Sequence, residues 1–208
     1  MNDLAPLNED GDLAALVASR LCHDLVNPLG AIGNGVELLG MTGGQQSPEM
    51  ELISDAVRDA QARVRFFRMA FGASQQGQMT SLREARTILS DLYDSGRLDV
   101  TWTAETDLPR AETKIGFLMI ACAESALPMG GDITVSRLSE GQWHLNATGA
   151  RVLTDKQGWS MLDRTSAPAN GLRPAEVHFL LLRQEAMVHN AQLNLALSST
   201  EIEITFSF

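Results

Sequence analysis

The chain has 208 residues, 44% hydrophobic and 20% charged, ordinary proportions for one large globular domain or two small ones. A net charge of -10 and a pI near 4.8 exclude broad binding to nucleic acid or an anionic membrane, and leave room only for a local basic patch facing an acidic protein. Cys22 and Cys122 are too few for a disulfide framework or a metal site, no apolar run nears the roughly 20 residues of a membrane span, and the acidic opening MNDLAPLNEDGDL lacks the form of a secretory signal, so a cytoplasmic protein is expected.

A first long helix is predicted from Asp12 to Gly40, with Asp12 as its cap and Gly43-Gly44 in the turn that follows. Its apolar stripe holds Leu13, Leu16, Val17, Leu21, Leu25, Leu29, Ile32, Val36 and Leu39. Ser47-Pro48-Glu49 opens a second helix that runs to Phe71, with Leu52, Ile53, Ala56, Val57, Ala60, Val64 and Phe67 at three- and four-residue spacing. The short turn makes the two helices antiparallel neighbours. Their surplus apolar surface predicts that two hairpins pair into a four-helix bundle, giving a homodimer.

The chain divides near Gly72 to Gly77, giving expected domains over 1–74 and 78–208. Ser81 caps a helix over Leu82 to Asp94, and Leu98 to Ala104 alternates as a strand. A helix over Glu112 to Leu127 stops at Pro128. Strands follow over Asp132 to Leu138 and Gln142 to Ala147, turning at Glu140-Gly141. A helix over Arg173 to Asn190 precedes a closing hairpin of Gln192 to Ser198 and Glu201 to Phe208. The fold class is α+β: an N-terminal helical hairpin followed by an α/β sandwich.

On a wheel of about 100° per residue, His23 falls roughly 200° from Leu21, on the polar face of the first helix. Arg20 lies one turn before it and Asn27 one turn after, and Gly30 and Asn34 continue that face. A lone helical histidine is usually a solvated surface residue. Here Asp24 follows directly, and Pro28 inside the helix costs about 3 kcal/mol and frees the Asp24 carbonyl. A sequence that tolerates this beside a His-Asp pair points to a shaped site. Imidazole titrates near neutrality and can act as a nucleophile. Asp24 can accept a hydrogen bond from the ring, Asn27 can orient phosphoryl oxygens or water, and Arg20 can neutralise developing charge. His144, His178 and His189 lack metal spacing and read as satisfied or surface histidines, and Trp102, Trp143 and Trp159 as core or surface packing residues.

The stretch His23-Asp24-Leu25-Val26-Asn27-Pro28-Leu29 resembles the phosphoacceptor box of sensor histidine kinases, and Ala18 to Leu39 is similar to the ChpT-type histidine phosphotransferases. The resemblance covers the whole chain. It implies a hairpin dimer followed by a degenerate histidine-kinase ATPase (Bergerat) domain. It also implies a place in a bacterial cell-cycle phosphorelay. The donor would be the receiver domain of a hybrid sensor kinase, and the acceptors CtrA-type and CpdR-type response regulators. Leu25 and Val26 would help dock the receiver.

Pro128-Met129-Gly130-Gly131-Asp132-Ile133 resembles the end of a kinase's nucleotide-binding helix and the strand after it. Where such kinases place a magnesium-holding asparagine this chain has Cys122, a poor ligand for magnesium. The expected adenine aspartate and spaced glycines read Asn146-Ala147-Thr148-Gly149-Ala150-Arg151, and the lid is reduced to Asn170-Gly171-Leu172. The expectation is a phosphotransferase without ATP or other cofactor, with Mg²⁺ only on the partner receiver. An active kinase core, a receiver-binding scaffold and phosphatase action are the alternatives.

Overall fold

The computed structural model describes residues 24–25, 28, 30–36, 38–39, 41, 48–94, 96–155, 157–162 and 173–208. Within 24–41 every described residue is helical. The second helix, α1 (Pro48–Phe71), has the predicted bounds. One close approach and one electrostatic pairing make the two helices antiparallel. A Cβ on buried Gly35 would meet the Ile53 side chain and the Glu49 carbonyl. Eleven residues earlier, Asp24 lies within electrostatic range of Arg63. Gly35 therefore lets the two helices approach closely.

The sandwich follows as β1 (Met79–Thr80), α2 (Leu82–Tyr93), β2 (Leu98–Trp102), β3 (Leu108–Pro109), α3 (Arg110–Ala126), β4 (Gly131–Ser139) and β5 (Gln142–Thr148). After these come α4 (Gln157–Leu162), a 3-10 turn (Pro174–Glu176), α5 (Val177–Val188), β6 (Gln192–Leu197) and β7 (Glu201–Ser207). Ser81-Leu82-Arg83-Glu84 has the capping-box pattern, and the Ser81 hydroxyl accepts from the Glu84 N–H at 3.1 Å. Five strands form one sheet in the order β2-β4-β5-β7-β6, with β2 and β4 parallel and the other pairs antiparallel. Gly130, at φ 85°, makes the turn into β4, where a side chain would strike the Arg97 carbonyl.

Period-two alternation gives the sheet one dry face. Ile133, Val135, Trp143, Leu145, Ala147, Ile202, Ile204 and Phe206 are buried, whereas Asp132, Glu201 and Glu203 are exposed on the opposite face. Helix α3 is buried nearly all round. Its Gly116 leaves room for the Trp102 and Trp143 indoles, whose ring centres lie 5.0 Å apart. The end of α1 enters the same core. Phe66 packs 5.2 Å from Phe117 and edge-on to Tyr93 at 6.1 Å. Each such buried aromatic contributes about 1.5–3 kcal/mol.

Several boundaries differ from the sequence reading. Helix α3 begins at Arg110, because Pro109 precedes the first turn, where a missing N–H costs nothing. The strand expected to Ala104 ends at Trp102, though the Thr103 N–H still reaches the Val135 carbonyl at 3.0 Å. The helix expected over Arg173 to Asn190 opens with the 3-10 turn at Pro174 and ends at Val188. The β1–β3 ribbon and α4 carried no signal the reading used. The helix expected from Asp12 lies outside the described residues before Asp24.

Candidate functional site

Of the residues singled out in the sequence, Asp24, Leu25 and Pro28 are helical and half-buried, and Gly30 and Asn34 are helical and exposed. His23, Arg20, Val26 and Asn27 lie outside the described residues. The helical state of both Asp24 and Pro28 agrees with a proline inside the helix.

Among the described residues of this stretch, Asp24 lies within electrostatic range of the second helix of the hairpin. Opposite it on α1 stands Arg63. Arg63 Nη1 donates to Glu124 Oε1 on α3 at 3.0 Å, and the Tyr93 hydroxyl at the end of α2 donates to Glu124 Oε2 at 2.8 Å. One carboxylate thus gathers α1, α2 and α3 at the edge of the hairpin. Burial acts most strongly on the Arg63 guanidinium and works against its charge. The Glu124 carboxylate, then Tyr93, then Asp24 favour it, and together they hold its pKa above the ordinary value. Arg63 therefore presents a fixed cation to the Asp24 side of the leading helix.

The sequence reading missed Arg63, Glu124 and Tyr93. A signal for Arg63 was available: Ala56, Ala60, Arg63 and Phe67 follow the four-three-four spacing of a buried stripe. A charge on such a stripe needs a buried partner. Nothing local marks Glu124 as that partner, 61 residues away.

The segments matched above to nucleotide motifs are also placed. Cys122 has 0% exposure inside the core. Asn146 Nδ2 donates to Glu201 Oε1 at 2.7 Å on the open sheet face. After β5 the chain folds down onto the helices. The Leu153 N–H reaches the Ala126 carbonyl at 2.9 Å, and the Trp159 indole donates to the Leu153 carbonyl at 2.9 Å. Trp159 packs edge-on against Phe179 on α5, with ring centres 4.8 Å apart. Asn170, Gly171 and Leu172 lie outside the described residues. Among the described residues no group of His, Cys, Asp and Glu has metal-binding geometry.

The family described as histidine phosphotransferase C-terminal domain matches residues 82–201, more than half of the chain. A curated relative, the protein phosphotransferase ChpT of Brucella abortus (strain 2308), is 37% identical over 126 residues. That match spans 60% of this chain and 60% of the relative's length. A solved structure of a bacterial phosphotransferase is 26% identical and superposes with a TM-score of 0.79, covering 99% of this chain and 98% of that one. A histidine kinase domain from the Erythrobacter litoralis EL346 blue-light activated histidine kinase is 16% identical with a TM-score of 0.41.

Proposed function

The chain belongs to the histidine phosphotransferase C-terminal domain family, and on that premise we propose that it relays a phosphoryl group between aspartates of partner proteins through His23. The observation that carries this reading is the family match across the sandwich, set behind a leading segment whose described residues, Asp24 among them, are helical. The donor is the receiver domain of a hybrid sensor kinase, and the acceptors are response regulators of the CtrA and CpdR types. A cytoplasmic place fits both partners. Among the described residues, no helix is long and apolar enough to cross a membrane.

In the forward step an imidazole nitrogen of His23 attacks the phosphorus of the donor's aspartyl phosphate. The P–N bond forms as the P–O bond to the donor carboxylate breaks, and that carboxylate leaves with the electron pair. Transfer to the acceptor repeats this in reverse, with the acceptor carboxylate as nucleophile. Asp24 orients the ring, Asn27 holds phosphoryl oxygens and Arg20 offsets their charge. Arg63 steadies the Asp24 side of the helix from α1. Leu25, Val26, Pro28, Gly30 and Asn34 form the surface that receives the partner. Magnesium belongs to the receiver.

ATP plays no part in this reading. The buried Cys122 thiol, Asn146 engaged by Glu201 and the Trp159 segment packed on Phe179 all argue for a scaffold in place of a nucleotide pocket. Residues 1–74 carry phosphotransfer and dimerisation, and 78–208 serve as the scaffold. The dimer rests on a stripe of α1: Met50, Val57 and Val64 recur every seventh residue, with Met50 37% and Val64 40% exposed. That period suits the seam of a four-helix bundle.

The deciding experiment follows radiolabelled phosphate from a phosphorylated receiver domain. The chain is expected to take label rapidly, to pass it to a second receiver and to take none from labelled ATP. Label on the His23→Ala variant would remove the assigned site. Labelling by ATP would return the kinase reading. Partner binding with His23 unmodified would leave only a scaffold.

A further inference from the structure

Beside the turn that joins α1 to the sandwich lies a cavity of about 420 Å³ lined by Arg65, Arg68, Arg83 and Arg110. The chain has only 16 lysines and arginines against 26 acidic residues, so four arginines lining one concavity are a marked local reversal of charge. Arg65 is answered by Asp91 at 2.7 Å, and Glu84 shares the lining. Arg68, Arg83 and Arg110 then share the lining with one acidic residue, Glu84.

Arg110 separates this cavity from an ordinary solvated basic face. It is 9% exposed, and its Nη2 donates to the Arg68 carbonyl. Its Nη1 is buried and has no hydrogen-bond partner among the described residues. Burial depresses the Arg110 pKa, Glu84 opposes that shift and the Arg68 charge adds to it. A buried donor left unpaired costs about 1–3 kcal/mol. An oxyanion would both accept from it and neutralise the crowded cations. Met69, Met79 and Ile88 supply an apolar wall, and the volume falls in the usual range for small-molecule sites.

We propose that this cavity binds a small-molecule oxyanion of the phosphate class, as the free ion or as a phosphate ester. The site is separate from His23 and does not depend on its phosphorylation. An acidic protein segment fits less well, because the unpaired Arg110 Nη1 is buried, where a small anion can reach it more readily than a carboxylate carried on a chain.

Isothermal titration of the full chain tests this with inorganic phosphate, glycerol phosphate and a polyglutamate peptide. Saturable one-to-one binding of at least one phosphate probe is expected. Arg68→Gln and Arg83→Gln should each weaken it about tenfold, the loss of one charge-assisted hydrogen bond. Arg83 is exposed, so its variant keeps the fold. Arg97→Gln, away from the cavity, and His23→Ala should bind as the wild type does. Tighter binding of glycerol phosphate identifies an ester, and equal affinities identify the free ion. Absence of binding by both phosphate probes overturns the proposal. So does unchanged affinity in Arg83→Gln, or polyglutamate binding as tight as that of the phosphates.

Discussion

Arg63 Nη1 lies 3.0 Å from Glu124 Oε1, and this ion pair ties the second helix of the hairpin to the long helix of the sandwich. Both side chains are largely shielded, at 29% and 17% exposure, so the pair is not an ordinary surface salt bridge. Tyr93 holds the second carboxylate oxygen, which fixes the geometry of the first. The pair thereby sets where the Asp24 side of the leading helix stands relative to the sandwich.

Removing Arg63 leaves the Glu124 carboxylate shielded, with the Tyr93 hydroxyl as its remaining side-chain donor among the described residues. Arg63→Met is expected to cost about 2 kcal/mol in urea unfolding. Once Glu124→Gln is in place the same change should cost less. A double-mutant cycle with coupling near zero would show that the two residues act separately.

A buried carboxylate secures the other end of α3. Glu112 is 4% exposed and accepts from Arg137 Nε at 2.7 Å, Arg137 Nη2 at 2.9 Å and the Trp143 indole at 3.1 Å. The hydrogen bonding that Arg137 donates to Glu112 is the main reason the Arg137 pKa is raised. Arg137→Met strips two of three donors from a buried acid and is expected to cost about 3 kcal/mol. Thermal unfolding measures this. A fall in melting temperature no larger than that of Arg97→Gln would count against the arrangement.

Gly116 is needed for space, not for an unusual backbone. A Cβ there would lie 2.6 Å and 2.7 Å from two Trp102 ring carbons and 3.3 Å from Trp143. Both indoles are buried and pack on each other, so neither can swing away. Gly116→Ala should therefore destabilise by about 1–3 kcal/mol, although alanine is the better helix former. Unchanged or raised stability in chemical denaturation would show that the two rings can shift.

These positions mark what the sequence can and cannot tell. The capping box at Ser81, the alternation in β4, β5 and β7 and the apolar stripe of α1 follow from local periodicity, which is why those elements lie close to their predicted places. The His-Asp-Pro spacing exposed the candidate site because mid-helix proline has a local energetic cost. Arg63 with Glu124, and Arg68 with Arg110, are pairings across 61 and 42 residues that no short period encodes. The β1–β3 ribbon has strands of two residues, too short to alternate. Helix α4 has six residues, fewer than two turns, and its tertiary anchor is Trp159 against Phe179.

The proposed dimer makes the exposed stripe of α1 the most direct target for substitution. Within one hairpin, Met50, Val57 and Val64 leave apolar surface in water, a loss of about 25 cal/mol for each Å² left uncovered. Pairing two hairpins would cover that stripe and place two copies of the His23 helix in one bundle. Val64→Glu combined with Val57→Glu puts charges onto the seam while leaving the Phe66 side of α1 untouched. Light scattering should find the wild type near twice the chain mass of 22.6 kDa and the double variant near that mass itself. Circular dichroism should show retained β-sheet signal, because the sandwich core lies elsewhere. Label transfer to His23 should fall along with the dimer, since the bundle supports the leading helix. A double variant that stays dimeric would move the interface off this stripe, and a monomeric wild type would remove the bundle from the mechanism.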